Sequence, residues 1–453
     1  MRPGSAGVTQ PSLGNRFDDR YRTVAESRLL DVLLLGGWVF ELAAGRHAEA
    51  LASTRAALAS WIELGLPYRT SAGGERLYDP VEVMNFQKWA GLKGLDRFWI
   101  ERFVATGRRL VGDWAQHRRD DASSPDGRGD APFRVSLQRT FNVGSFTAGT
   151  RLRLRMPLPL AGPYVREVDI VPRVSGDLGA EITLGDGRME VRLAAAEQPF
   201  IEVGAEVRFV ACPRPAGTVE PVGRLDADEA AVYLRATDGL IRITPRIQAL
   251  AHFLAGPACQ PAQSVRGFWS YMIDELNSGM VHYDQVDTDA PGDWVLESGW
   301  HDCQLGSALF VALCRARGIP ARIIGGHVLY RLAPTNHYWA EAWIEERGWL
   351  PFDLLCWDLS AGGRDQEWRD HFAGSIDYRM VTQCLPKAFT GSMSVRLPSA
   401  WHMLQARAAE GVEIDMLGLD GSLAYRDRVS VHAACSDHLP MNGQATLSGG
   451  LTD

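Results

Sequence analysis

The chain has 453 residues, of which 46% are hydrophobic and 23% charged, with a formal net charge of -8. That is the balance of an ordinary soluble globular protein of about two to four domains, and the negative charge gives no electrostatic case for nucleic acid or an anionic membrane as partner. The seven cysteines are odd in number, widely scattered and without a CxxC pair, which argues against a disulfide framework and a zinc ribbon and points to a reducing cytoplasm.

The opening MRPGSAGVTQPSLGNRF lacks the apolar core of a signal peptide, and residues 1–19 are expected to be disordered. Residues 20–118 predict a helical domain. Apolar residues recur there at three- and four-residue steps through AESRLLDVLLLGGWVFELAAG, HAEALASTRAALASWIELG, PVEVMNFQKWAGL and LDRFWIERFVATGRRLVGDWAQ. The most apolar run, Leu29 to Ala44, carries Asp31 and Glu41 and is too short to span a bilayer, so it predicts a core helix. Residues 119–132 predict a linker, because HRRDDASSPDGRGDAP is polar and rich in Gly, Pro and Asp.

From Phe133 the period changes to two. Leu152, Leu154 and Met156 alternate with Arg151, Arg153 and Arg155, which predicts a half-buried strand whose arginines form a solvated face rather than an anion site. ITLGDGRMEVRL predicts a hairpin turning at Asp186-Gly187. Residues 133–245 are therefore expected to form a β-sandwich-like domain. Helical signals return in RIQALAHFLAG and SVRGFWSYMIDELNSG, opening a core over 246–390. Residues 391–440 predict a short β extension that packs back on the core or the sandwich, and 441–453 a disordered tail.

The stretch SGWHDCQLGSALFVALCRARGIPAR carries the first chemical signal. Asp302 predicts a helix N-cap and Gly318 the helix end. Cys303 then sits in the first turn, where the helix N-terminus favours a thiolate of lowered pKa, partly offset by Asp302. Ser307, Phe310 and Cys314 share one face of that helix, with Cys314 expected in the core. A nucleophilic cysteine needs a base and a group that orients the base. NHYWAEAWIEERGWLPFDLLCW predicts a hairpin with His337 on its first strand. A turn at Glu345 to Gly348 sets His337 opposite Cys356, with Pro351 disturbing the ladder and a bulge able to restore the pairing with Asp353. Spacing alone leaves both Asp353 and Asp358 open as the third member. His301, Cys303, His337 and Cys356 fit no common metal-ligand spacing, so no metal and no cofactor are expected. His301 and His327 read as wall residues.

These blocks resemble the transglutaminase-like superfamily. Its signature pairs a Gly-x-Cys-type entry and a leucine-rich helix ending in Arg-Ala-x-Gly-Ile-Pro-Ala-Arg with a later His-x-Trp-x-Glu-x-Trp, then Gly-Trp and Asp. Here the blocks follow in that order, with 34 residues from Cys303 to His337 and 16 on to Asp353. The resemblance covers roughly residues 245 to 360 and nothing of the helical first domain. It implies an α+β chain with a papain-like transglutaminase core. Cys303 would be the nucleophile, His337 the general base and acid, and Asp353 the orienter. The backbone N–H of Cys303 would be one oxyanion donor, and Gln285, Tyr283 or His282 of MVHYDQV the source of a second. Trp300, Trp339 and Trp343 would wall the acyl channel or pack in the core.

The expected function is a cysteine-dependent acyltransferase. A thioester forms on Cys303, and the acyl group passes to an amine or other small nucleophile in peptide or natural-product metabolism. The donor would be a peptide amide or a thioester, carrier-protein-bound thioesters included. A peptidase or amidase using water as acceptor is the runner-up. A catalytically silent partner-binding scaffold is the third expectation.

Overall fold

A computed structural model of the chain describes residues 44–95, 130–213 except 177 and 186, 225–358 except 257–259, 282–284, 331–333 and 346, 366–385, 403–404, 415–420 and 423–432, with 23–27, 29, 30 and 33. The expected disordered ends, residues 119–129 of the expected linker, and the helix expected beyond Leu95 lie outside these residues.

The N-terminal part combines strand β1 (Val24–Ala25), helix α1 (His47–Glu63), strands β2 (Arg69–Thr70) and β3 (Arg76–Tyr78), and helix α2 (Pro80–Leu92). Helix α1 buries Ala50, Thr54, Ala57, Leu58 and Trp61, a stripe at helical spacing. It packs with the buried Leu29, Leu30, Leu33, Tyr78 and Phe86. The expectation of a purely helical region is corrected, because the three strands form a sheet in the order β1-β3-β2. Strands of two or three residues are too short to show a period. Their signal was the turn: Ser71 N–H donates to Glu75 O, and Gly74 takes φ 84°.

Next come β4 (Ala131–Asn142), β5 (Arg151–Pro157), β6 (Val165–Val174), β7 (Glu181–Gly185), β8 (Arg188–Ala194) and β9 (Phe200–Ala211). The β7–β8 hairpin turns with Gly187 at φ 68°. Burial alternates along β5 as the sequence period requires. The arginines of β5 form the expected solvated face, on which Arg153 and Arg155, with Arg192 of β8, converge on Glu190. Strands β5, β8 and β7 form one sheet, and β4, β9 and β6 lie in another; both feed one apolar core.

Helix α3 (Ala227–Val232) and strands β10 (Thr237–Asp238) and β11 (Ile241–Arg242) follow. They were expected at the end of the sandwich. Instead, Leu240 and Ile241 pack in the core of the following region. That region holds α4 (Pro245–Ala255), α5 (Pro261–Glu275), β12 (Asn277–Ser278), α6 (Pro291–Ser298), β13 (Trp300–His301), α7 (Cys303–Ala316), β14 (Ala321–Val328), β15 (Thr335–Ile344), β16 (Gly348–Phe352), α8 (Gln366–His371) and β17 (Arg379–Leu385). Strands β18 (Met403–Leu404), β19 (Asp415–Asp420) and β20 (Leu423–His432) close the chain. Between the two sites expected for this extension, the structure selects the sandwich: β20 pairs with β4.

Helix α7 is the centre of the α+β core. Gln304 to Arg315 are all buried, as expected of a helix that is apolar nearly all round. Arg315, buried at the far end, ties the helix to its surroundings by donating to Ala321 O and Arg235 O. The sheet in the order β16-β15-β14-β17 is covered on both faces. Ile323, Ala340, Ala342 and Phe352 pack with α7, whereas Ile324, Trp339 and Met380 pack with the sandwich. Leu160 N–H adds a bond to Val381 O at 2.8 Å.

The β14–β17 ladder shifts register between Gly325 and Gly326. There the backbones approach so closely that a Cβ on Gly326 would lie 2.1 Å from Met380 O. Gly326 is also the partner of His337 in the β14–β15 ladder. Gly326→Ala should therefore force the strands apart, costing about 1–3 kcal/mol in denaturant unfolding. An alanine variant of wild-type stability would show that this approach can open freely.

Candidate active site

Cys303 opens helix α7. Asp302 caps that helix, its Oδ1 accepting from Gln304 N–H at 3.0 Å and Leu305 N–H at 2.8 Å. Gly306 lies against His301, where a Cβ would come within 2.4 Å of Nδ1, so the entry to the helix is tightly packed. Cys303 keeps part of its surface exposed, whereas Cys314 and Cys356 are buried. The backbone N–H of Tyr338 points at the Cys303 thiol, which places the sulfur beside the His337–Tyr338 peptide of β15. The lowered pKa expected at the helix start is not what the structure gives. Burial pushes the Cys303 thiol up, the Asp302 carboxylate adds to this, and the Tyr338 N–H opposes it. Burial and Asp302 thus work against the thiolate, and a neighbouring base that takes the proton would work for it.

The candidate base is His337, the residue before Tyr338 on β15. His337 Nε2 donates to Asp353 Oδ2 at 2.8 Å, which leaves Nδ1 as the basic nitrogen. No bulge is needed to bring Asp353 to His337: β15 and β16 pair in one register from Ile344↔Gly348 to Ala340↔Phe352, with Pro351 opposite Glu341. Asp353 reaches His337 because the strand ends at Phe352. The chain then turns, and Asp353 Oδ1 caps the turn by accepting from Leu355 N–H at 3.0 Å and Cys356 N–H at 2.8 Å.

One residue here was not read from the sequence. Arg379 of β17 brings Nη2 to 2.7 Å from Asp353 Oδ2, while its Nε donates to Asp377 at 2.5 Å. Its guanidinium lies over the Trp339 ring at 5.0 Å. Burial alone would raise the Asp353 pKa, but His337 and Arg379 together hold it well below the ordinary carboxylate range. Asp353 is thus a permanent anion beside the imidazole. Arg379 carries no local signal, since only the pairing of β14 with β17 brings it here.

Asp358, left open by spacing, is placed elsewhere. Its Oδ2 accepts from Ser278 and pairs with Lys88. Trp339 has no exposed surface and lies in the core shared with the sandwich, its ring 6.4 Å from that of His337. It lies beside His337 on the same face of β15 and packs in the core, the second of the two places expected for it. Trp343 sits six residues along β15 from His337, about 20 Å away at strand rise, and packs on Trp349. Trp300 is buried in β13, next to Gly279. Gln285 lies on the segment ahead of α6, whereas His282 and Tyr283 fall outside the described residues.

Cys356 was expected only as a poor metal ligand. Its Sγ lies 3.6 Å from His337 Nε2, and burial, with Asp353 adding, holds its thiol well above the ordinary pKa. His337, Asp353 and Cys356 present three potential ligand atoms within 4.8 Å of one another. Arg379 already neutralises Asp353 there, and a second cation would meet its charge in a medium of low dielectric. The signature residues Glu341 and Arg322 are structural: they face each other on β15 and β14 as a pair 2.8 Å apart, with Arg322 over the Trp349 ring.

Residues 248–354 match the core model of the transglutaminase-like superfamily. A protein-glutamine gamma-glutamyltransferase of Pseudomonas aeruginosa is 24% identical over 157 residues, 32% of this chain and 23% of that protein. The chain thus spans less than a quarter of the length of this curated relative. Among solved structures, a Cytophaga hutchinsonii protein proposed to be a cysteine protease aligns at 18% identity and TM-score 0.40, covering 55% of this chain and 81% of that one. The periplasmic domain of TgpA from Pseudomonas aeruginosa aligns at 19% identity and TM-score 0.29, covering 49% and 87%. No helix among the described residues is long and apolar enough to cross a membrane.

Two histidines near this region are buried and neutral. Burial lowers the pKa of both His301 and His327 to about 4. The unfolded chain therefore binds more protons than the folded one between about pH 6.5 and pH 4. Stability should be full above that window and fall as pH drops through it, by up to about 1.4 kcal/mol per pH unit for each histidine. Denaturant midpoints measured from pH 7.5 to 4 in wild type and His301→Gln check this. The variant should show the shallower slope, and equal slopes would refute the assignment of His301.

Proposed function

From the match of residues 248–354 to the transglutaminase-like core, we propose that the chain is a cysteine-dependent acyltransferase of that superfamily, working through a thioester on Cys303. The observation that carries the reading is the line from Arg379 through Asp353 to His337, ending on the strand whose next N–H meets the Cys303 thiol. His337 takes the thiol proton at Nδ1 as Sγ attacks the acyl carbonyl, and Asp353 stabilises the imidazolium. His337 then returns that proton to the leaving amine or thiol. In the second half-reaction it deprotonates the acceptor, which attacks the thioester and releases Cys303. In this reading the Cys303 N–H at the helix start is one donor to the oxyanion.

The acyl donor in this reading is a peptide amide or a thioester, carrier-bound forms included, and the acceptor an amine. The name of the Pseudomonas relative, a gamma-glutamyltransferase, supports transfer of a glutamine side-chain acyl group. Hydrolysis is the second reading, and one observation favours it: Trp339 is core and Trp343 packs on Trp349, so neither is available to keep water from the acyl-enzyme. A free thiol nucleophile suits a reducing compartment such as the cytoplasm.

Iodoacetamide should label Cys303 first among the seven cysteines near neutral pH. Because His337 takes the thiol proton in this reading, His337→Ala should move the onset of labelling to higher pH. An inert Cys303 in the folded protein, or a pH profile indifferent to His337, would defeat the nucleophile assignment and favour a silent scaffold.

Partition of the acyl-enzyme separates the two acceptors. Intact mass should show an acyl adduct on wild type and none on Cys303→Ala, and added amine should divert the adduct to amide. If hydrolysis dominates at saturating amine for every donor that loads the enzyme, the chain is an amidase.

A further inference from the structure

The segment that delivers Cys303 is held from the N-terminal part of the chain. Asn85 and Lys88 stand one turn apart on α2 and therefore on one face. Asn85 grips the backbone of Met280 at both groups: its Nδ2 donates to Met280 O, and its Oδ1 accepts from Met280 N–H, each at 2.8 Å. Lys88 Nζ donates to Ser278 Oγ and pairs with Asp358 Oδ2, each at 2.5 Å, and Ser278 itself donates to Asp358 at 2.8 Å. Ser278 and Asp358 are both buried.

Both ends of this contact lead to the active site. Strand β12 pairs parallel with β13, with Asn277 N–H donating to Gly299 O and Gly279 N–H to His301 O, each at 2.8 Å. The next residue after His301 is the cap Asp302, and the next is Cys303. The packing leaves no slack, since a Cβ on Gly279 would lie 2.5 Å from Asn85 Oδ1 and 2.8 Å from the Trp300 ring. On the other side, Asp358 ends the short helical turn Cys356–Asp358 that follows Asp353. Lys88 therefore ties the strand behind the nucleophile to the turn behind the triad carboxylate.

We propose that α2 is a brace for the active site, with Asn85 and Lys88 as positioning residues that fix the Trp300–Asp302 segment and hence Cys303 relative to His337. This gives the N-terminal unit a role inside the same polypeptide. It rests on Cys303 being the nucleophile. A buried ion pair alone is weak evidence of such a role; the two-point grip on the Met280 backbone and the link to Asp358 are what turn it into a positioning device.

The test uses the full chain and two readouts. In Lys88→Met and in Asn85→Ala, alkylation of Cys303 by iodoacetamide should slow by about tenfold, the scale expected when a reacting group is misplaced by a fraction of an ångström. Hydrogen exchange over residues 277–280 and 299–306 should quicken in the same variants. Lys88→Arg, which keeps the charge and the donors, should restore most of both. Wild-type alkylation and exchange in folded Lys88→Met and Asn85→Ala would overturn the proposal, as would an Arg variant impaired as badly as Met. If Lys88→Met fails to fold, Asn85→Ala decides by the same two measurements. If wild-type Cys303 proves inert, the exchange result still judges the brace while the acyl-transfer reading falls alone.

Discussion

The arrangement depends on one buried charge. Asp353 has no exposed surface, and an isolated carboxylate there would be costly. Both its oxygens have partners: His337 donates to one, which also pairs with the Arg379 charge, and two backbone N–H groups donate to the other. Meeting that demand determines much else. Strand β16 must stop at Phe352, the chain must turn immediately, and β17 must run beside β14 to bring in Arg379. Arg379 in turn carries Asp377 and lies over Trp339 and Phe372. The imidazole is oriented as a by-product of solving a solvation problem.

Much of this was legible in local sequence. The cap Asp302, the apolar run of α7 and its glycine end are short-range signals, and the structure repeats them because capping and amphipathicity act within a few residues. The period of two in β5 and the β7–β8 turn were legible for the same reason. The position of Asp353 was not, since register counting assumes an uninterrupted ladder, and the strand end at Phe352 is fixed from outside by Phe372 O accepting from Asp353 N–H. Arg379 and Lys88 were invisible because each acts across a long stretch of chain, where no spacing rule applies.

The tryptophans show a different limit. Trp300, Trp339 and Trp343 cluster around Cys303 and His337 in sequence, which leaves a shared channel and core packing equally open. Along a strand, however, distance grows by about 3.3 Å per residue and direction alternates. Trp343 is thereby carried off towards the β15–β16 turn. Trp339 is turned to the face on which Ile324 and Met380 meet the sandwich. Which face of a sheet is covered, and by what, depends on a partner layer assembled from residues more than a hundred positions away.

That doubly covered sheet has a consequence for how the catalytic unit can be inherited. Its back face, with Ile324, Trp339 and Met380, is dry only while the sandwich lies on it, and Leu160 stitches the two together through Val381. A core cut out near residue 246 would leave that apolar face open to water and prone to self-association. Shuffling in evolution or in the laboratory must therefore move sandwich and core as one cassette, and substitutions on the inner face of one will be tolerated only with compensating changes on the other.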